Sequence, residues 1–341
     1  MDKHLVSVII LNWNGRAFLD DCLRSLKHQT YSNYEIILVD NGSQDDSVQL
    51  INTHYSDMLR LIQLPENRGF AGGNNVGLRE ARGLYIALLN NDTEADRNWL
   101  HSLVQCMNSD EKIGMVGSKV MNYYKRDEID NTGHLIYPDG LNRGRGRLEK
   151  DFGQFETTEE ILFPSGCAAL YKKKMFDEIG GFDETFFAYG DDTDIGLHGR
   201  YLGYKAIFCP KAVVYHKYSG TTGSYSEKKA FFVERNRVWI LVKYFSARFI
   251  LLSPFYTFIR IAMQSYGMLA NKGSAGIYAR TTPSLQIIKT FLYSYVSALM
   301  HLPEMLVKRR RIKKRKKISI REFNNLLKSH GISCKEISLK N

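Results

Sequence analysis

The chain has few cysteines, few prolines and no long apolar run free of charge. Its five cysteines are an odd number spread along 341 residues. They lack the spacing of a zinc site or a disulfide framework, which favours a reducing compartment. The apolar stretches 238–268 and 285–307 are interrupted by charged residues and proline, so neither offers the ~20 apolar residues of a membrane span. We expect no signal peptide, because the first residues lead into a strand-like run without a small-residue cleavage site.

Excess positive charge is also absent from most of the chain. The formal charge is +11, but nine of the ten residues from Lys308 to Lys317 are Lys or Arg, which leaves +2 for all other residues. The main part of the chain is therefore not predicted to bind nucleic acid. The basic run predicts contact with an acidic surface, such as anionic lipid, worth about 1 kcal/mol per residue. The alternative is a helical appendix packed on the main domain, followed by a solvated basic tail.

Short apolar runs alternate with amphipathic segments over the first ~120 residues, a pattern that predicts a mostly parallel sheet flanked by helices, an α/β fold. Ligands of such sheets bind beyond the carboxyl ends of the strands. Asn14 and Ser43 are candidate caps for two of the helices. The predicted strands are 6–11, 35–39, 59–64, 85–89 and 114–120, and the predicted helices are 16–28, from 44, 73–82 and 96–107.

Acidic residues stand where two of these strands end. Asp40 closes one run and Asp92 follows another, so both carboxylates are expected at the same edge of the sheet. A third group places Asp191, Asp192 and Asp194 within four residues, a crowding that is costly unless a proton or cation is shared. The alternatives are a strand-ending turn with a helix cap for Asp92 and a solvated first helical turn for the cluster.

Seven segments, in order over roughly residues 5 to 240, resemble the family 2 glycosyltransferases, which are inverting enzymes with the nucleotide-sugar-binding fold called GT-A. The closest resemblance is to the bacterial rhamnosyltransferase-like branch. It implies a GT-A domain over residues 1–235, with a nucleotide-sugar half (1–120) and an acceptor half (121–235). A helical region that is expected to associate with the membrane (236–307) and a basic tail (308–341) follow. The segments are Val6–Asn14, Val39–Ser43, Glu66–Asn75, Leu89–Asp92, Ser165–Ala168, Gly181–Glu184 and Asp191–Asp194.

The resemblance also implies roles for single residues. Asp192 is expected to be the catalytic base, with its neighbour Asp191 as the other candidate. Residues 67–75 are expected to form a glycine-rich loop near the donor. Acceptor contacts are implied for Ser165, Gly166 and Asp194. Nucleotide-sugar contacts are implied for Asn12, Trp13, Asn14, Asp40, Asn67, Gly69, Asn75, Asn91 and Asp92.

The segment Asn90-Asn91-Asp92 corresponds to the metal motif of the family, usually Asp-x-Asp, and retains one carboxylate. The resemblance implies Mg²⁺ or Mn²⁺ on Asp92, with His216 as a second ligand; an imidazole ligand favours Mn²⁺. The alternative for His216 is a strand-end histidine bonded to backbone.

Together these features predict an inverting glycosyltransferase of cell-surface polysaccharide synthesis, with a nucleoside-diphosphate sugar as donor and a glycan or lipid-linked hydroxyl as acceptor. The resemblance favours rhamnose from a dTDP donor and leaves UDP-sugars open. The expected location is cytoplasmic, peripheral on the inner face of the cell membrane. The alternatives are a nucleotidyltransferase, which would release pyrophosphate, and a non-catalytic protein that binds anionic membrane or nucleic acid through the basic run.

Overall fold

The computed structural model describes residues 4–217 and 226–340, and the chain divides into two units. The first, here called the sheet unit, contains Met1–Gly133, Gly144–Gly199 and Tyr204–Thr221. The second, here called the helical unit, contains His134–Arg143, Arg200–Gly203 and Thr222–Asn341. The sequence had placed this boundary near residue 235, without the two short segments that come from the middle of the chain.

The sheet unit alternates strands and helices up to its sixth strand and becomes irregular afterwards. Its first ten elements are β1 (Val6–Asn12), α1 (Arg16–Lys27), β2 (Tyr34–Asp40), α2 (Ser47–His54), β3 (Arg60–Gln63), α3 (Gly69–Glu80), β4 (Tyr85–Leu89), β5 (Thr93–Ala95), α4 (Trp99–Met107) and β6 (Ile113–Asn122). The chain continues with β7 (Ile129–Asn131), β8 (His134–Ile136), β9 (Asn142–Gly144), β10 (Glu159–Glu160), β11 (Ala168–Lys172), α5 (Lys173–Ile179), a 3₁₀ turn (Glu184–Phe186), α6 (Asp191–Tyr201) and β12 (Lys205–His216). Of these, β8 and most of β9 belong to the helical unit.

One mixed sheet carries the sheet unit, in the order β10-β12-β6-β11-β4-β1-β2-β3, with β5 paired to β12 and β7 to β6. Strands β1 to β4 are parallel to one another, and β11 runs antiparallel between β4 and β6. Successive residues of β1 alternate between two buried apolar clusters, with Val8 and Ile10 in one and Ile9 in the other. Both faces are therefore covered, which confirms the predicted α/β fold of a mostly parallel sheet flanked by helices.

Three local expectations from the sequence are wrong. Helix α3 begins at Gly69, so the expected glycine-rich loop over residues 67–75 is helical from that point. A Cβ atom at Gly73 would lie 2.2 Å from Leu11 Cδ1, so this glycine lets α3 pack closely on β1. Neither Asn14 nor Ser43 caps a helix, because α1 follows Gly15 and α2 begins at Ser47.

The helical unit is built around α7 (Glu227–Tyr244), whose residues 234–237 are all buried. The other helices are α8 (Ala247–Leu269), α9 (Gly273–Thr281), α10 (Ser284–Met300), α11 (Leu302–Arg315), α12 (Ile320–Ser329) and α13 (Cys334–Leu339). Most of the basic run lies on α11, and two more helices follow it, so this part of the chain is folded where the sequence predicted a tail. Across the described ranges, no helix is both long enough and apolar enough to cross a bilayer.

Four buried charged side chains tie α7 to α8 inside the helical unit. Arg260 Nε donates to Asp139 Oδ2 at 2.7 Å, and its Nη1 and Nη2 donate to the two oxygens of Glu234 at 2.8 and 2.9 Å. Arg237 is the second cation, 3.4 Å from Asp139 and 3.2 Å from Glu234. Two cations and two anions balance, which is the condition under which buried charges are tolerated.

Candidate active site

Polar side chains at the carboxyl ends of three neighbouring strands form one hydrogen-bonded chain. Asn12 lies opposite Asp40 in the pairing of β1 with β2, and its Nδ2 donates to Asp40 Oδ1 at 3.0 Å. Asn91, just after β4, donates from Nδ2 to Asn12 Oδ1 at 2.8 Å. The second oxygen of Asp40 accepts from the backbone of Ser43 at 3.1 Å. Asn12, Asp40 and Asn91 are thus brought together and buried, as expected from their positions at strand ends.

The residues beside this chain hold the loop after β1. The backbone N–H of Asn14 donates to Ser43 Oγ at 2.9 Å, and Asn14 Oδ1 accepts from the backbone of Gln44 at 2.8 Å. Asn14 has a φ of +49°, an angle at which Asn is among the better-tolerated residues. Trp13 is half-buried at the tip of this loop.

Asp92 lies beside His216, the last residue of β12. His216 Nε2 is 3.3 Å from Asp92 Oδ1, and His216 Nδ1 is 2.7 Å from Oδ2 of Asp130 on β7. Burial alone would lower the pKa of His216, but the neighbouring Cys167, Asp92 and Asp130 outweigh it and raise that pKa well above its usual value. His216 therefore bonds to carboxylates, where the sequence had left open a bond to backbone.

The Asp92–His216 pair is not part of a larger set of metal-binding side chains. Within residues 4–217 and 226–340, no group of three or more His, Cys, Asp and Glu side chains could hold a metal ion. The pair itself has suitable spacing, because ligands on adjacent positions of an octahedral divalent ion lie about 3.0 Å apart when each bond is about 2.1 Å. If Nδ1–H of His216 donates to Asp130, its Nε2 lone pair is directed toward the position beside Asp92.

The acidic cluster occupies the first turn of α6, where carboxylates are favoured by the helix dipole. Asp192 is half-exposed; its Oδ1 accepts from the backbone of Thr193 at 2.7 Å, and its Oδ2 accepts from the backbone of Gly166 at 3.4 Å. Asp191 is buried, and burial, followed by the charges of Asp192 and Asp194, raises its pKa well above the usual value. One Asp191 oxygen, Oδ1, has no hydrogen-bond partner among the described residues. The two adjacent acids therefore differ: Asp192 reaches solvent and Asp191 does not.

Ser165 and Gly166 precede β11, the strand that runs opposite to β4. Because β11 is antiparallel, its first residues lie at the same sheet edge as the last residues of β4, and Asn90 N donates to Cys167 O at 2.8 Å. Gly166 is in turn bonded to Asp192. This short segment therefore links the turn that carries Asp92 to the start of α6. Asp194, also implied in acceptor contact, is buried.

Asn67, Gly69 and Asn75 hold the framework around α3. Asn75 Nδ2 donates to Phe182 O and to Glu184 Oε1, each at 2.9 Å, and its Oδ1 accepts from Phe182 N at 2.8 Å. Asn67 Oδ1 accepts from Gly69 N at 2.8 Å. Gly69 has a φ of +71°, and a Cβ there would lie 2.3 Å from Phe187 O. The amide of Asn75 is therefore engaged with Phe182 and Glu184 of the protein itself.

Sequence reasoning missed Asp130. This residue lies in a strand of three residues, between loops, and no periodicity marks it. The one available signal was chemical: a buried metal-ligating histidine usually has a carboxylate or carbonyl on its other nitrogen. That rule predicts that a partner exists without saying which residue it is.

Comparison with known proteins agrees with this geometry. The family model described as "Glycosyl transferase family 2" matches residues 7–180, just over half of the chain. The chain belongs to glycosyltransferase family 2. The match includes the strand ends at Asp40 and Asp92 and the segment at Gly166, and it ends before the acidic turn of α6.

Two similar curated proteins place this family 2 member among bacterial relatives. It is 31% identical over 214 residues to the glycosyltransferase GlyG of Streptococcus pneumoniae, covering 59% of this chain and 66% of GlyG. It is 26% identical over 226 residues to the O-antigen biosynthesis protein RfbC of Myxococcus xanthus, covering 63% of this chain and 17% of RfbC. The match thus spans less than two thirds of each relative's own length.

The solved structure of GalNAc-T7 with UDP, GalNAc and Mn²⁺ has a similar fold. The two superpose with a TM-score of 0.61 at 16% sequence identity, over 77% of this chain and 51% of that one. At this identity the likeness concerns the fold, and it confirms the GT-A architecture of the family 2 chain.

Proposed function

We propose that this family 2 member is an inverting glycosyltransferase that transfers a sugar from a nucleoside-diphosphate donor to a hydroxyl of a glycan or lipid-linked acceptor. The observation that carries the proposal is that two acids, Asp92 and Asp192, are both held at one edge of the sheet. Asp92 stands 3.3 Å from His216, and half-exposed Asp192 is joined to the same edge through Gly166. A donor-binding group and a base that solvent can reach are what a direct displacement needs.

In the proposed reaction, the acceptor oxygen forms a bond to the sugar C1 while the bond from C1 to the diphosphate oxygen breaks. The acceptor proton goes to Asp192, and the nucleoside diphosphate leaves with the bonding electrons. We assign the base to Asp192 rather than Asp191 because Asp192 is half-exposed, whereas Asp191 is buried and its raised pKa favours the protonated form. A protonated acid cannot accept the acceptor's proton.

We propose that Asp92 and His216 hold a divalent cation, Mn²⁺ or Mg²⁺. Their donor set of one carboxylate and one imidazole suits Mn²⁺ more than Mg²⁺. When bound, such an ion neutralises charge on the departing diphosphate. Asp130 contributes by fixing the orientation of the His216 ring. GalNAc-T7, which shares the fold, contains Mn²⁺ with UDP.

The donor side of the proposed site is the chain formed by Asp40, Asn12 and Asn91. Asp40 is buried and keeps a fixed position through Asn12 and Ser43. A fixed carboxylate acceptor discriminates a base that presents an N–H from one that does not. Trp13, half-buried nearby in sequence, is proposed to contact the base. The resemblance favours a dTDP-sugar, with rhamnose as the sugar, and leaves UDP-sugars open.

The pathway we propose is cell-surface polysaccharide synthesis, by analogy with the O-antigen biosynthesis protein RfbC. The proposed location is the inner face of the cell membrane, with peripheral contact through the basic residues of α11. Five free cysteines are compatible with a reducing compartment.

The test is a panel of dTDP-, UDP- and GDP-sugars, each offered with Mn²⁺ or Mg²⁺, with release of the nucleoside diphosphate as readout. We expect turnover with one donor class and its loss in Asp92→Asn and Asp192→Asn. Glu94→Gln, a change to a half-buried surface acid paired with Arg126, is the control. Release of pyrophosphate instead would identify a nucleotidyltransferase, and full turnover in either Asn variant would remove that residue from the mechanism.

A further inference from the structure

Exposed large apolar side chains are concentrated on three helices of the helical unit. Among the described residues, twenty such side chains are exposed, and fifteen of them lie on α8, α10 and α11. The whole sheet unit contributes four of the twenty. Scattered exposed apolar residues are normal on a protein surface, but their concentration on a few helices of one unit marks a binding surface.

Helix α8 is polar inside and apolar outside, the reverse of a helix on a globular protein. Its buried positions are Ser253, Arg260 and Gly267, and Arg260 is fully buried in the ionic network. The opposite face exposes residues spaced three, four or eight apart, which form one stripe. That stripe consists of Leu251, Phe255, Phe258, Tyr266 and Leu269, which are between 53% and 86% exposed.

Helix α10 repeats the arrangement. Its buried face uses hydroxyl groups against α7, because Thr290 Oγ1 donates to Glu227 Oε1 at 2.9 Å and Ser294 Oγ donates to Phe231 O at 3.2 Å. Its exposed face carries larger apolar side chains at the spacing of a single stripe, namely Leu285, Ile288, Leu292, Val296 and Leu299. Two helices of the same unit therefore bury polar side chains and present most of their large apolar side chains to the outside.

Helix α11 adds charge to this surface. After the exposed Pro303 and Glu304 of its first turn, it exposes Leu306 and Val307 and, one turn later, Arg310 and Arg311. Residues at positions i and i+4 lie on one face, so the same side of α11 changes from apolar to cationic along its length. Lys314 and Arg315 extend the cationic part.

We infer that the exposed stripes of α8 and α10, together with the cationic end of α11, form a surface that inserts shallowly into an anionic lipid bilayer. This builds on the membrane contact proposed above, but the apolar stripes carry it rather than the basic run alone. An apolar face flanked by Lys and Arg matches the boundary between acyl chains and anionic headgroups. A second copy of the chain fits less well, because it would bring another cationic cluster to the same surface.

The geometry also sets how α8 meets the lipid. Its stripe extends from Leu251 to Leu269, about 27 Å at 1.5 Å per residue. A stripe that runs along one side of a helix is covered only when the helix lies along the membrane surface.

The experiment uses the full chain and measures co-sedimentation with two kinds of vesicle, phosphatidylcholine alone and phosphatidylcholine mixed with phosphatidylglycerol. We expect binding to the mixed vesicles and at least about a tenfold weaker partition for the double variant Phe258→Asp with Leu292→Asp. Phe152→Asp is the matched control, because Phe152 is 84% exposed but lies in the sheet unit. Replacing Arg311 and Lys314 by Gln is expected to remove the preference for phosphatidylglycerol while leaving weak binding.

Three results would overturn the inference: no binding of the unmodified chain to mixed vesicles, unchanged binding of the double Asp variant, or an oligomer that this variant converts to a monomer. If circular dichroism shows that the double Asp variant does not fold, the less disruptive double variant Leu251→Ser with Leu299→Ser replaces it. Asp192→Asn is expected to bind vesicles like the unmodified chain, and the double Asp variant to retain turnover with a water-soluble acceptor. Vesicle binding and turnover are measured separately, so failure of the membrane inference is distinguished from failure of the proposed reaction.

Discussion

His216 Nδ1 lies 2.7 Å from Asp130 Oδ2, while the other nitrogen of the same ring lies 3.3 Å from Asp92. One imidazole is thus held between an acid that follows β4 and an acid from β7. Asp130 is also 3.6 Å from Arg147, which keeps its carboxylate in place. The ring orientation is therefore fixed by residues that do not belong to the donor segments.

Asp130→Asn is expected to weaken Mn²⁺ binding about 10- to 100-fold, because an amide no longer selects the His216 tautomer whose Nε2 lone pair is available. Titration calorimetry of the protein with Mn²⁺ in the presence of a nucleoside diphosphate measures this directly. Asp127→Asn is the control, since Asp127 lies in the same loop region and pairs with Lys150 on the surface. Equal Mn²⁺ affinity in Asp130→Asn and the unmodified chain would remove Asp130 from the site.

Asp191→Asn is expected to preserve most of the turnover, whereas Asp192→Asn loses about 10²- to 10⁴-fold in kcat. Asn has the shape of a protonated carboxyl, the form that the raised pKa of Asp191 already favours. The measurement is kcat for both variants with the donor identified by the panel, alongside a thermal melt of each. A reversed order of the two losses would assign the base to Asp191.

Gly69→Ala is expected to reduce activity and to lower the melting temperature more than Gly153→Ala does. Both glycines have positive φ, +71° and +86°, so the backbone strain of an added Cβ is similar. They differ in space, because the Cβ at position 69 would meet Phe187 O at 2.3 Å and the nearest atom at position 153 is 3.9 Å away. The difference between the two melting temperatures isolates the contact between α3 and the Phe187 backbone, and equal values would contradict it.

The helical unit is expected to lose stability in acid. Burial would raise the pKa of Asp139, but the charges of Arg237 and Arg260 outweigh it and lower that pKa. Burial would likewise raise the pKa of Glu234, and the charges of Arg260 and Arg237 again outweigh it and lower that pKa. A depressed native pKa stabilises the fold above the unfolded value and loses that contribution as the pH falls through the native value. We therefore expect thermal stability to decline from about pH 5 downward.

The variant Arg260→Met tests the same ionic network by removing one of its cations. Removing one cation leaves two buried acids with Arg237 alone, which is expected to cost roughly 3–5 kcal/mol near neutral pH. The cost is expected to shrink as the pH falls, because the uncompensated carboxyls become protonated. Arg248→Met, at an exposed position near the start of the same helix, is the control. A cost that does not depend on pH would indicate lost packing rather than lost charge pairing.

The sheet and the neighbours of Asp92 could be predicted because both depend on local patterns. Apolar runs of strand length mark the ends at which Asp40 and Asp92 stand, and parallel pairing brings such ends together. Helix α3 could not be predicted in full, since its glycines are poor helix formers in isolation and are favoured by close packing on Leu11. The Asp130–His216 contact joins residues 86 positions apart, and no local pattern encodes such a contact.

The helical unit shows another limit of sequence reasoning. The sequence indicates that an apolar stretch interrupted by Arg260 is not a membrane span. It does not indicate which side of the helix packs against the rest of the protein. The structure turns Arg260 inward to Asp139 and Glu234, and the apolar residues outward. The charge of Arg260, which argues against a membrane span, is therefore the charge that anchors α8 to the rest of the helical unit.

The reversed strand β11 has a consequence for how such an enzyme could change its acceptor. A slip of one residue in its pairing would move Gly166 by about 3.3 Å and turn every side chain of the strand to the other face. The distance from the Asp92 turn to α6 is thus set by backbone pairing and resists gradual change. Under the proposed mechanism, a new acceptor can then evolve through changes in the loops beyond the sheet, without altering the spacing between Asp92 and Asp192 on which transfer depends.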